Sequence, residues 1–174
     1  MLFLSACHSK DGNLTNALKF RAELLEHTGC SFTCHVDADY GDGVHSFSMD
    51  CEFDGKSCDF TLTEPSTIGG ISANVSADGA ELSFDGLRLE YGKLANGYVA
   101  PLTAPWIVAS AWTDGYIDQA GKDGEDYVLS IRKGYDKEEL TVMTWLRHGV
   151  PAHAEVFYQG EKVLTVAIEN FSYR

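Results

Sequence analysis

The sequence predicts an α+β domain built on one long antiparallel sheet, and three observations carry that prediction. The apolar spacing changes from about 3.6 to 2 residues near Ser31. About ten strand-like runs then follow, punctuated by turn residues. Only two segments read as helices, with none of the alternating strand-helix rhythm that builds a parallel sheet.

The first helix follows Asn13, a residue suited to capping. Leu14, Leu18, Arg21 and Leu25 recur at helical spacing with Ala17 and Leu24 beside them, and Gly29 supplies a residue able to end the helix. From Ser31, Phe32, Cys34, Val36, Ala38 and Tyr40 share one face of a strand, while Thr33, His35, Asp37 and Asp39 share the other. The chain turns at Tyr40-Gly41-Asp42-Gly43. Phe47, Met49, Cys51 and Phe53 then line a second strand, and Asp54-Gly55 is a two-residue hairpin signal before Cys58, Phe60 and Leu62. Pro65 stops this third strand.

Short runs at Gly70 to Ser76, Ala80 to Asp85 and Leu87 to Tyr91 read as a meander. Thr103-Ala104-Pro105 opens the second helix with a capping hydroxyl and an early proline. This helix carries Trp106, Ile107, Val108, Ala109, Ala111 and Trp112 before Gly115, so it is apolar nearly all round and must be covered. Strands are expected again at Tyr127 to Ile131, Leu140 to Leu146, Ala154 to Tyr158 and Val163 to Phe171. Phe171 breaks the parity of Leu164, Val166 and Ile168, which places a bulge near Glu169 or Asn170.

A chain of 174 residues fits one domain with a core of its own. Thirteen Lys and Arg against 26 Asp and Glu leave a net charge of −13, and no basic patch offsets it, so nucleic acid is not an expected partner. No run approaches the roughly 20 apolar residues of a membrane helix. Leu4-Ser5-Ala6-Cys7 resembles the lipobox of bacterial lipoproteins, in which the cysteine is acylated and becomes the new N-terminus. Only the tail of the usual apolar signal run precedes it. Residues 1–7 are therefore read as a truncated lipoprotein signal, 8–12 as a polar tether, and 13–174 as the domain.

The order of elements resembles the LolA-like superfamily, which includes the periplasmic lipoprotein carrier and its outer-membrane receptor. The resemblance runs from Asn13 to Phe171 and rests most on Ala38-Asp39-Tyr40-Gly41-Asp42, on Thr63-Glu64-Pro65-Ser66-Thr67-Ile68-Gly69-Gly70-Ile71, and on Leu82-Ser83-Phe84-Asp85. It is closest to small lipoproteins of Gram-positive type. It implies a curved antiparallel sheet, an incomplete β-barrel, covered by the N-terminal and mid-chain helices. It also implies an apolar hollow between them that accepts acyl chains. Here Phe32, Val36, Phe47, Met49, Phe53, Phe60 and Leu62 would line it, faced by Trp106 and Trp112. The same residues serve equally well as packed core.

Motifs for a nucleophile elbow, a phosphate loop or a zinc protease are missing, so no enzymatic activity and no cofactor are expected. Asp37, Asp39, Asp42 and Gly43 lack the spacing of a calcium loop. Cys30, Cys34, His35, Cys51 and Cys58 lack the spacing of zinc sites. In an exported protein, Cys30, Cys34, Cys51 and Cys58 read better as disulfides. Counting from Asp54-Gly55 puts Cys51 opposite Cys58, Cys34 meets Cys51 if the first turn allows it, and Cys30 meets Cys34 only if Cys30 precedes the strand. Free thiols packing as small apolar groups remain the alternative. The expected function is that of an extracytoplasmic lipoprotein, anchored to the membrane through Cys7. Its domain would bind a lipid, an acyl chain or another apolar small molecule, or an envelope protein. The alternative is a sensor or adaptor that acts through a protein partner and has no ligand cavity.

Overall fold

The computed structural model describes residues 8–39, 43–91, 94–95, 98–134 and 139–174. Helix α1 spans His8–Glu26, so it begins ahead of the Asn13 cap, and residues 8–12, read as a tether, are helical. Apolar spacing reports where a helix is buried, not where its backbone bonding starts. Farther along the helix Asn16 Nδ2 donates to the Gly12 carbonyl at 2.9 Å. The buried side of α1 is Ala17, Phe20 and Leu24, while the expected stripe of Leu14, Leu18 and Leu25 is 43%, 51% and 60% exposed. Phe20 decides the rotation. It is the largest apolar side chain on the helix, and it meets the rings of Trp112 at 5.8 Å and Phe171 at 6.3 Å. Gly29 follows at φ +148, and a Cβ there would lie 1.8 Å from the Phe53 carbonyl oxygen. Only glycine lets the chain pass from helix to sheet so close to the next hairpin.

The strands are β1 (Cys30–Asp39), β2 (Val44–Phe53), β3 (Cys58–Glu64), β4 (Ser72–Val75), β5 (Ala80–Phe84), β6 (Leu87–Tyr91), β7 (Leu94–Ala95), β8 (Tyr98–Val99), β9 (Tyr116–Asp123), β10 (Asp126–Lys133), β11 (Leu140–Arg147), β12 (Val150–Tyr158) and β13 (Glu161–Tyr173). Eleven of them form one sheet in the order β6-β5-β4-β3-β2-β1-β13-β12-β11-β10-β9, and β7 and β8 form a separate ribbon. Every neighbour in the large sheet is antiparallel. Two meanders thus join where β1 pairs with β13. The bulge expected near Asn170 is present: Ser31 faces Ser172, Thr33 faces Glu169, and Asn170 has φ +53.

Two details differ from the sequence pattern. Asp54 Oδ1 accepts the amides of Lys56 at 2.9 Å and Ser57 at 2.7 Å, which makes a longer turn than Asp54-Gly55 alone suggests. Phe53 therefore pairs with Cys58 and Cys51 with Phe60, so Cys51 lies diagonal to Cys58, not opposite it. The strand β9 was unforeseen. It is an edge strand holding Gly121 and charged residues, and a register shift between Ser130 and Ile131 breaks its match with β10, which removes the alternation that marks a strand.

A 3-10 turn over Pro101–Thr103 leads into α2, Ala104–Asp114, in which every residue from Ala104 to Trp112 is buried. Pro105 sits early in the helix as expected. The Thr103 hydroxyl is no cap; Thr103 already has helical angles, and its Oγ1 donates to the Ala100 carbonyl at 2.7 Å. At the other end Gly115 is required, since a Cβ would stand 2.4 Å from Ile131 Cγ2. Helix α2 is about 16 Å long, yet it touches β2, β3 and β10. In a flat sheet β3 and β10 would lie about 29 Å apart. The sheet therefore curls around α2 without closing, as an incomplete barrel does, and α1 covers the open side against α2, β9 and β10.

Candidate functional site

The nine residues expected at the apolar hollow all meet between sheet and helices. Phe32, Val36, Met49, Phe53, Phe60, Leu62, Trp106 and Trp112 are buried members of the core, and the half-buried Phe47 packs against it. The Trp112 ring is edge-on to Phe20, Phe32 and Phe171 at 5.8, 5.9 and 6.0 Å. Its Nε1 donates to Thr144 Oγ1, itself buried, at 3.0 Å, and Trp106 Nε1 donates to the Lys56 carbonyl at 2.9 Å. Both indoles thus have a partner for their one polar atom. The C-terminus of α2 is held by Arg21, whose Nε and Nη2 donate to the carbonyls of Trp112 at 2.7 Å and Ala111 at 3.2 Å. Burial lowers the Arg21 pKa, and the charge of Asp114 raises it in part. Sequence reading placed Arg21 on an apolar stripe and missed this role; a cation at an apolar position is the signal that was there.

Cys30, Cys34, Cys51 and Cys58 are buried and carry free thiols. The Sγ atoms of Cys34 and Cys51 are 3.7 Å apart. Burial pushes the Cys30 thiol up to about 12, helped by Cys58. It also pushes Cys51 well above its ordinary value, with contributions from Cys34 and Cys58. Cys30 is the first residue of β1, four places from Cys34 on the same strand, so a bridge between them is geometrically closed. Cys7 and Asp42 lie outside the described residues.

The opposite face of the sheet is polar. An open trough of about 570 Å³ runs over β1 to β5, lined by side chains that include Thr33, Asp50, Glu52, Asp59, Thr61, Asn74, Glu81 and Asn170, with Glu52 ion-paired to Arg174 and Glu81 to Arg88. Thr33 Oγ1 donates to Asp50 at 3.1 Å, and Asn74 Nδ2 donates to Asp59 at 2.8 Å. The outward parity of these residues is legible in the sequence, but their gathering depends on the curl. On the same outward parity His35 stands 3.0 Å from Ser48 Oγ and 3.3 Å from Asp37. Ser48 Oγ donates to Glu64 at 3.0 Å, so its proton is directed away from His35. His35 lies on β1, which is paired on both sides with β13 and β2, so its backbone amide is within the ladder and not aimed at a developing oxyanion. This trio can organise the surface; it is not arranged as an activated nucleophile.

No protein-family model matches the chain, and no curated protein does. Solved structures do. A domain assigned to outer membrane lipoprotein sorting from Vibrio parahaemolyticus superposes over 95% of this chain and 93% of its own, with a TM-score of 0.50 and 12% identity. The fold is LolA-like. A LolA superfamily protein from Nitrosomonas europaea matches over 91% of this chain and 93% of its own, at TM-score 0.46 and 10% identity. The lipoprotein LppX of Mycobacterium tuberculosis does so over 92% and 96%, at 0.42 and 8%. At such identities the likeness is one of architecture.

Proposed function

We propose that this chain is an extracytoplasmic lipoprotein, acylated at Cys7, whose LolA-like domain is a binding module for an envelope protein and not an enzyme. The observation that supports a protein partner is the filling of the curl. Every residue from Ala104 to Trp112 is buried, so side chains of α2 pack into the space between sheet and helices in which the resemblance puts a ligand. Binding then falls to the outside, where the acidic trough suits a partner that presents basic and hydrogen-bonding side chains. The test is cross-linking in cells, comparing the parent with Asp50→Lys/Asp59→Lys. Both positions are exposed, so the fold should hold while the cross-linked product disappears. An unchanged product contradicts the reading.

An apolar ligand is the second reading, and one feature of α2 supports it. From Ala104 to Thr113 the helix has no charged residue, so an acyl chain that replaced its contacts would meet no charge. Native mass spectrometry of the purified protein separates the two. A lipid bound non-covalently supports the ligand, and a bare domain that takes up no apolar dye at tens of micromolar supports the partner.

A further inference from the structure

We infer that α1 lies along the membrane surface, with its leucine stripe seated among the acyl chains beside the anchor. The inference rests on the acylation of Cys7 proposed above and adds to it the orientation of the domain. Helix α1 has two apolar faces. Ala17, Phe20 and Leu24 are in the core, whereas Leu14, Leu18 and Leu25 are exposed and fall within roughly 40° of one another around the axis. A stripe of exposed leucines on a helix needs a cover.

What covers it follows from the chain. The described helix runs from His8, the residue after Cys7 in the sequence, so the proposed anchor belongs to its N-terminal end. The three leucines stand about 9, 15 and 26 Å along the axis from His8. An acyl group on Cys7 fixes one end of this rod at the bilayer. Laying the rod flat brings all three leucines to the depth at which an interfacial helix buries its apolar side. With a net charge of −13 the protein gains no electrostatic attraction to anionic headgroups, so the apolar stripe is the attraction available on this helix.

The test uses the full chain coupled through Cys7 to a maleimide lipid in phosphatidylcholine vesicles; Cys30, Cys34, Cys51 and Cys58 are buried and do not compete. Tryptophan is placed at the stripe by Leu18→Trp or on the flank by Lys19→Trp, and phosphatidylcholine brominated on its acyl chains serves as quencher. Emission of the parent is subtracted. Leu18→Trp should be quenched several-fold more than Lys19→Trp. Equal quenching at the two positions, or none at position 18, overturns the inference. So does a dimer of the uncoupled chain that shields Leu18→Trp from an aqueous quencher, because the stripe would then belong to a second copy. The chemical anchor makes this result independent of the cell. If the protein incorporates no labelled fatty acid in cells, acylation itself fails and the orientation falls with it; if it is acylated and the stripe is not quenched, the orientation alone fails.

Discussion

Arg21 and Asp54 each satisfy backbone groups that the fold leaves open. Removal of Arg21 takes the donor from the Trp112 carbonyl at the end of α2 and one of two donors from the Ala111 carbonyl, which also accepts the Gly115 amide at 3.1 Å. Arg21→Ala should therefore destabilise by about 1–2 kcal/mol, read as a lower midpoint in urea, since the site is half-buried and water replaces part of what is lost. Asp54 is held below the ordinary carboxylate range chiefly by the Ser57 amide, with the Lys56 amide assisting against slight burial. A depressed pKa contributes stability that is complete above the unfolded value near 4 and fades as pH falls through the folded value. Asp54→Ala should cost about 0.5–1 kcal/mol at neutral pH, discounted for the exposure of the side chain, and the difference from the parent should shrink once the pH drops below about 4. A difference that persists unchanged at low pH would show that the charge is not involved. Among the cysteines, geometry favours Cys34 with Cys51. An external disulfide can take one electron and one proton from each thiol and leave as two thiols, which lowers the protein mass by about 2 Da. The raised pKa of Cys51 keeps thiolate scarce, so this step should be slow at neutral pH and faster as pH rises. Peptide mapping should find Cys34 joined to Cys51; a Cys51–Cys58 peptide would contradict the geometry.

At the scale of elements, α2 is the clearest test of how full the core is. Ala109 is buried among residues of the core. Ala109→Phe should overfill the site and destabilise by about 1–3 kcal/mol in a urea titration. A variant of parental stability that loses dye binding would instead reveal a hollow beside α2. The elements that the sequence made legible are those whose own burial writes the pattern. β1, β2 and β3 alternate because one face is core, and α2 is apolar all round because it is wrapped all round. The bulge at Asn170 was legible for the same reason, as a break in parity. What was not legible depends on partners remote in the chain. The face of α1 was misread because Leu14, Leu18 and Leu25 outnumber Phe20, and only the rings of Trp112 and Phe171 decide which side turns inward. β9 escaped because an edge strand with one neighbour has little burial to imprint. Cys51 and Cys58 were set opposite each other because the side chain of Asp54, by bonding two amides, lengthens the turn.

At the scale of the molecule, the pairing of β1 with β13 closes the chain on itself and lets one sheet curl around one helix. That curl has two consequences. It fills the interior with the protein's own side chains, and it gathers outward residues of β1 to β5 into an acidic trough. Neither is written in local periodicity, so the nine residues expected at a hollow meet in the interior, while what they do there depends on where α2 packs. The proposed function needs a lipid anchor at Cys7 and a partner for the outer surface, and the anchor is the part of this account on which the rest depends. The most direct measurement is mass spectrometry of the N-terminal peptide from protein expressed in a bacterial host behind a complete lipoprotein signal and recovered from membranes. The account predicts a peptide that begins at Cys7 and carries covalent fatty acyl mass on that residue. A peptide that retains the residues before Cys7, with a free thiol there, would contradict it.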